Sequence, residues 1–166
     1  MLRSILRFMR QEFWLGAQLC GGRAGYARCR KSYDNRGKLV DQQCFDVDGH
    51  ALDMSVRFAR VGGVIPGYPA AKAGIERDDL FLQYGTWQWS RAAPGIPEQA
   101  LAENRERAKR LVMYRRGRGI ATYDFPPGPT GASMNDGYRT KEEIADINAA
   151  WAEYLKKPQA EAKSVP

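Results

Sequence analysis

The 166-residue chain is short of the residue types on which most catalytic and metal chemistry depends. A single histidine, His50, removes His-relay catalysis and multi-histidine metal sites at once. Three cysteines (Cys20, Cys29 and Cys44) are an odd number with no C-x-x-C spacing, so neither a zinc ribbon nor a disulfide framework is indicated. They are expected to be reduced structural thiols, the alternative being one pair in an oxidising compartment. No apolar run approaches the ~18 residues that cross a bilayer. None of the six serines sits in a G-x-S-x-G elbow. What remains is ordinary globular composition, 43% hydrophobic and 27% charged. A chain of this length buries roughly 70% of its unfolded surface, so one domain with an appendage can fold without metal or disulfide staples.

Charge is the first positive signal. Residues 1–40 carry Arg3, Arg7, Arg10, Arg23, Arg28, Arg30, Lys31, Arg36 and Lys38 against Glu12 and Asp34 only, which accounts for the whole net charge of +7. The rest of the chain is balanced. Within residues 1–19, Leu2, Ile5, Leu6, Met9 and Phe13 fall at helical spacing with arginines between them, predicting a basic amphipathic helix that weakens at Gly16. Such a helix can lie on an anionic surface through Arg3, Arg7 and Arg10, or on its own domain. The apolar stretch 13–20 is too short and too polar for a secretory signal, so a cytoplasmic or peripheral membrane location is the expectation.

Residues 21–38, rich in Gly, Arg and Lys, read as linker with a turn at Asp34-Asn35-Arg36-Gly37, and 38–47 as a weak strand. Met54, Val56 and Phe58 alternate against Ser55 and Arg57, predicting a strand. Pro66-Gly67-Tyr68 is a turn. Pro69 to Ala73 is a short helix with proline at its first position and Gly74 just past its end. Asp79–Tyr84 is a strand, and 97–109 a helix. Leu111–Tyr114 and Ile120–Phe125 are strands around an Arg116–Gly119 turn. Pro126-Pro127-Gly128-Pro129 is expected to end regular structure until Thr140, the N-cap of a helix with Glu143 reaching back. Ile144, Ile147, Trp151, Tyr154 and Leu155 form that helix's apolar stripe, Pro158 stops it, and 158–166 reads as a disordered tail.

The run from Val61 to Trp89 resembles the core signature of PDZ domains of the bacterial protease-associated type. Pro66, Gly67, Pro69, Ala70, Ala73, Gly74, Ile75 and Asp79 stand at the positions of that pattern, and Asp78 stands where the family has Gly. The resemblance covers about residues 45–130. It implies an α+β protein built on a PDZ-like, small, partly open β-barrel. Around it would lie a basic N-terminal helix and linker (1–44), a C-terminal helical extension (131–157) and a tail (158–166). It also implies non-catalytic binding of an extended protein or peptide partner by β-strand addition, with no cofactor and no metal. The implied peptide-binding residues are Leu52, Asp53, Met54 and Val56 on the strand side and Leu101 on the helix, with Ala102 or Arg105 near it. Asp53 stands where a carboxylate-binding loop needs Gly. A carboxylate there repels a peptide's C-terminus, which shifts the expectation towards internal segments.

Rival readings follow from other residues. Protease-associated PDZ domains suggest a regulatory fragment or subunit of a peptidase. The basic residues 1–40 suggest a binder of nucleic acid or an anionic surface, and Arg105 to Arg118 adds seven basic residues against Glu106. Interleaved with a buried strand, these arginines read as solvated flanks rather than a nucleic-acid face. Asp46-x-Asp48-Gly49 echoes a calcium loop but lacks the downstream acidic ligand. Cys44 and His50 lack an orienting partner for nucleophilic work. Trp87 and Trp89 are either exposed anchors or packed on the C-terminal helix.

Overall fold

The computed structural model describes residues 11–13, 28–157 and 162–166. Among the described residues, two sheets and three helices make an α+β protein. The smaller sheet is antiparallel in the order β1 (Gln11–Phe13), β2 (Arg28–Tyr33), β3 (Leu39–Phe45). Asp34 builds the β2–β3 turn, its carboxylate accepting the N–H groups of Arg36 and Lys38 at 2.9 Å, with Gly37 at φ 75°. That turn is the one predicted. Residues 28–33, read as linker, are strand because they pair along β3, and this pairing sets Cys29 opposite Cys44. The two form a disulfide, so the expectation of reduced thiols is corrected for this pair. Gln11–Phe13, read as part of a helix, is extended β1; the remainder of that helix, with Arg3, Arg7 and Arg10, lies outside the described residues.

The larger sheet runs in the order β10 (Lys163–Ser164), β8 (Gly119–Phe125), β7 (Lys109–Arg115), β5 (Leu80–Tyr84), β4 (Asp53–Val64), β9 (Ala132–Arg139), with β6 (Trp87–Gln88) folded back on β5. Its two ends, β10 and β9, do not pair with one another, so the sheet is open where a partly open barrel was expected. Three strands arise where none was predicted, the two-residue β6 among them. β9 follows the proline-rich run and pairs antiparallel with β4 from Phe58↔Gly137 to Val64↔Ala132. β10, in the supposedly disordered tail, lies parallel to β8, and Val165 beyond it is buried in the main core.

Helix α1 (Pro69–Lys72) and Gly74, at φ 76°, take the form their sequence predicts. Asp79, buried, caps the following turn by accepting the Glu76 N–H at 2.9 Å and holds Arg115 through two bonds of 2.6 Å. This bidentate pair raises the pKa of Arg115. Asp78, standing at the family's Gly position, adopts φ 75° and turns its carboxylate onto Arg60. Helix α2 spans Glu98–Arg105 and α3 spans Lys141–Lys156. Thr140 caps α3, accepting from the Glu143 N–H at 3.2 Å. The Glu143 carboxylate does not make the reciprocal bond expected of it; it turns to Arg116 and Arg139. Ile144, Ile147 and Trp151 are buried, whereas Leu155, assigned to the same stripe, is exposed.

The core is contributed by Phe58, Leu80, Phe81, Leu82, Leu111, Val112 and Ile147, all fully enclosed. Each such side chain contributes about 1.5–3 kcal/mol of hydrophobic free energy. Trp89 stacks on Phe58 at 4.7 Å and donates its indole N–H to the Arg57 carbonyl at 3.0 Å, and Trp87 is buried too, so neither is an exposed anchor. Among the described residues, no helix is long and apolar enough to cross a membrane.

Candidate functional site

The segment Pro126–Gly131 organises one groove. Lys109 is buried, and its ammonium meets four carbonyls: Arg107 at 3.1 Å, Gly128 at 3.0 Å, and Arg105 and Pro126 at 3.4 Å. Burial pushes its pKa down, while Glu106 acts the other way. Gly128 donates its N–H to the Arg105 carbonyl at 2.7 Å. The carbonyls of Thr130 and Gly131 accept from Ala70 and Ile65 at 2.9 and 2.8 Å. The loop is thereby tied to the end of α2 on one side and to the turn and helix around α1 on the other. Gly131 has φ 78°, and a Cβ there would fall on the Tyr68 side chain, so both backbone and space demand glycine.

Beside this loop lies a cavity of about 550 Å³. Val64 of β4, Tyr84 of β5, Leu101 and Arg105 of α2, Pro129–Gly131 of the loop and Ala132–Met134 of β9 line it. Burial raises the Tyr84 pKa, partly opposed by the charge of Arg105. β9 is the last strand of its sheet, so its outer edge has no strand neighbour among the described residues. Edge strands present backbone N–H and C=O groups free to pair with another chain.

Of the residues implied by the family resemblance, Leu101 and Arg105 on the helix lie at this groove, and none of those on the strand side does. Leu52 is buried with the Cys29–Cys44 disulfide in a small second core, against which Met54 packs. Val56 is enclosed in the main core. The Asp53 carboxylate is bound by the Ser55 hydroxyl and, at 2.9 Å, by the Ser55 N–H, which lowers its pKa. The edge expected along Met54–Phe58 is flanked by β9, which pairs with β4 at Asp53↔Arg139 and again from Phe58↔Gly137 onward, with a register shift between the two. Tyr84 and the 130–134 stretch were not singled out from sequence. The polar, glycine-containing sequence of β9 hides its period-2 pattern, although Ala132 and Met134 do alternate with Ser133 and Asn135.

A second cleft, of about 960 Å³, lies between the β3–β4 turn and the start of α3. Asp46, Asp48 and His50 can bring one ligand atom each within 4.8 Å of one another. The Asp46 carboxylate, however, already accepts from the N–H groups of Asp48 and His50 at 3.0 and 2.8 Å. Its burial is outweighed by these bonds, leaving the pKa below the usual value. Asp46 therefore builds the turn. With Cys44 in a disulfide, thiol chemistry beside His50 is excluded in this state. Three arginines of the basic run are engaged internally: Arg110 with Asp124, Arg115 with Asp79, Arg116 with Glu143.

The structure thus defines an α+β protein with a groove lined by its last sheet strand and a short helix. Compared with known proteins, the chain matches no family model and no curated sequence.

Proposed function

We propose that the chain is a non-catalytic, PDZ-like binding module that takes an extended peptide as an added strand on the outer edge of β9, with α2 as the facing wall. The observation that carries this reading is one cavity lined both by the start of that edge strand and by Leu101 and Arg105. Main-chain bonds to β9 would supply affinity, and the apolar lining of Val64, Tyr84, Leu101 and Met134 would accept alternate side chains of the ligand. The family resemblance is supported by the conformation of the turn, α1 and Gly74, and by the role of Asp79 in holding Arg115. The proposal takes β9, the last strand of its sheet, as the strand-adding edge in place of Met54–Phe58, which β9 flanks at Asp53 and Phe58.

The test is amide-detected NMR during titration with a library of extended peptides. Shifts should concentrate at 130–139 and 98–105. A library that leaves these amides unmoved at millimolar concentration refutes the reading.

A further inference from the structure

The outer edge of β8, at the end of the sheet opposite β9, is closed by the chain itself. Lys163 and Ser164 pair with Tyr123 and Asp124, and the Val165 N–H donates to the Asp124 carbonyl at 3.0 Å. Val165 buries its side chain in the main core and is 6% exposed. This hold is slight beside that on the inner edge of β8, which β7 pairs along its whole length from Lys109↔Phe125 to Arg115↔Gly119. Lys163 and Ser164 are exposed, and neither side chain has a hydrogen-bond or ion-pair partner among the described residues. Every other pairing of the described strands is antiparallel, whereas β10 is parallel to β8. A parallel strand cannot be reached by a hairpin and is delivered by a crossover, here through α3. The chain leaves α3 extended at Lys157, with ψ 138°, and five residues, 158–162, precede β10. A vacated seat would expose the backbone groups of an edge strand and open a hole in the core, so the leaving segment must be replaced. The segment that fits by construction is the same one from another copy.

We propose that β10 is an exchangeable strand, and that the partner of the β8 edge is segment 163–165 of a second copy of this chain, swapped reciprocally across a two-fold axis. Each seat is refilled by an identical segment, so its own affinity cancels between the closed monomer and the exchanged dimer. What remains is the effective concentration at which the short connection presents the strand to its own chain. That concentration, about millimolar, sets the dissociation constant of the dimer. A connection too short to close on its own chain removes the monomeric form and leaves only the exchanged one. The exchange does not involve β9 and is independent of the peptide-binding reading.

The first test needs no variant: isotope-labelled and unlabelled full chain are mixed in equal amounts at about 1 mM. Isotope-filtered NOE spectra should show contacts from Lys163–Val165 of one pool to Tyr123 and Asp124 of the other. Dilution by about a hundredfold should abolish them. Spectra at the higher concentration with no contact between pools overturn the proposal. The second test shortens the connection by deleting residues 159–161. Sedimentation should then show a dimer at about 10 µM, where the full chain is monomeric. In the shortened chain the seat affinity no longer cancels, so Val165→Asp should return it to monomer. Val165→Ala, which keeps the strand apolar, should weaken the dimer at least about tenfold. A shortened chain that stays monomeric overturns the proposal. A dimer indifferent to both substitutions overturns it too, and assigns the contact to another surface.

Discussion

Asp78→Gly sets two effects against each other, and their sizes decide the outcome. Asp78 adopts φ 75°, where a side chain costs about 1 kcal/mol, and the family pattern has Gly at this place. Relief of strain alone would make the substitution stabilising. Glycine also frees the unfolded chain, which returns roughly 0.7 kcal/mol of that gain. The larger effect lies in Arg60, whose side chain is only 2% exposed while that of Asp78 is 63% exposed. Arg60 keeps one bond of 3.4 Å from Nε to the Asp136 carbonyl, and its Nη2 has no hydrogen-bond partner. Removing one member of a buried pair costs about 3–5 kcal/mol, and solvent at the Asp78 end places this case near the lower figure. The net expectation is a loss of about 2–3 kcal/mol, lowering Tm by roughly 5–10 °C for a chain of this size. Asp78→Asn, which tolerates the same φ and keeps an acceptor, should lose less. Urea and thermal melts of the three proteins provide the measurement. An Asp78→Gly variant as stable as the parent, or more so, refutes the assignment of Asp78 as the partner that Arg60 requires.

Reduction of the Cys29–Cys44 disulfide should act locally. The bridge closes a span of 15 residues, worth about 3 kcal/mol by loop entropy, and the small core around it contains only Leu52 besides the two half-cystines as fully buried apolar side chains. Hydrogen exchange with and without reductant should show amides 28–45 losing protection while 56–64 and 109–125 keep theirs; equal loss throughout would contradict the two-core description. Alkaline pH should destabilise only above ~10, because burial raises the pKa of Tyr84, Tyr114 and Tyr123, so the unfolded tyrosines release protons first. Lys109 acts with the opposite sign: its lowered pKa means that the unfolded chain binds more protons below ~10, so stability rises slightly towards that pH, and Lys109→Met should remove the rise in urea melts. A stability that falls steadily from pH 8 would refute this balance.

Features set by neighbours along the chain were legible from residues alone. Pro69 and Gly74 bracket α1, Thr140 caps α3, and Asp34–Gly37 turns β2 into β3, each through interactions within a few residues. The same is true of the strands around Arg116–Gly119, where Leu111–Tyr114 is a continuous apolar run and the turn is short. Asp78 was visible as a departure from the family pattern, but its pairing with Arg60, 18 positions away, was not. β9 has no local signal strong enough to announce a strand; it becomes one because β4 offers it a ladder 79 to 68 positions earlier in the chain, Phe58↔Gly137 to Val64↔Ala132. That pairing flanks the edge the sequence reading had left open, at Asp53 and from Phe58 onward, and makes β9 the last strand of the sheet, with a cavity beside 129–134. Likewise, Cys29 and Cys44 meet because β2 and β3 pair in one register, and no spacing rule selects them over Cys20. Composition and local pattern determined the helices and the strands with strong apolar runs, while β1, β2, β9 and β10 arose from pairing. Which backbone edge is left unpaired, and which charges are left without partners, depended on long-range strand pairing, a property of the assembled sheet and not of any segment within it.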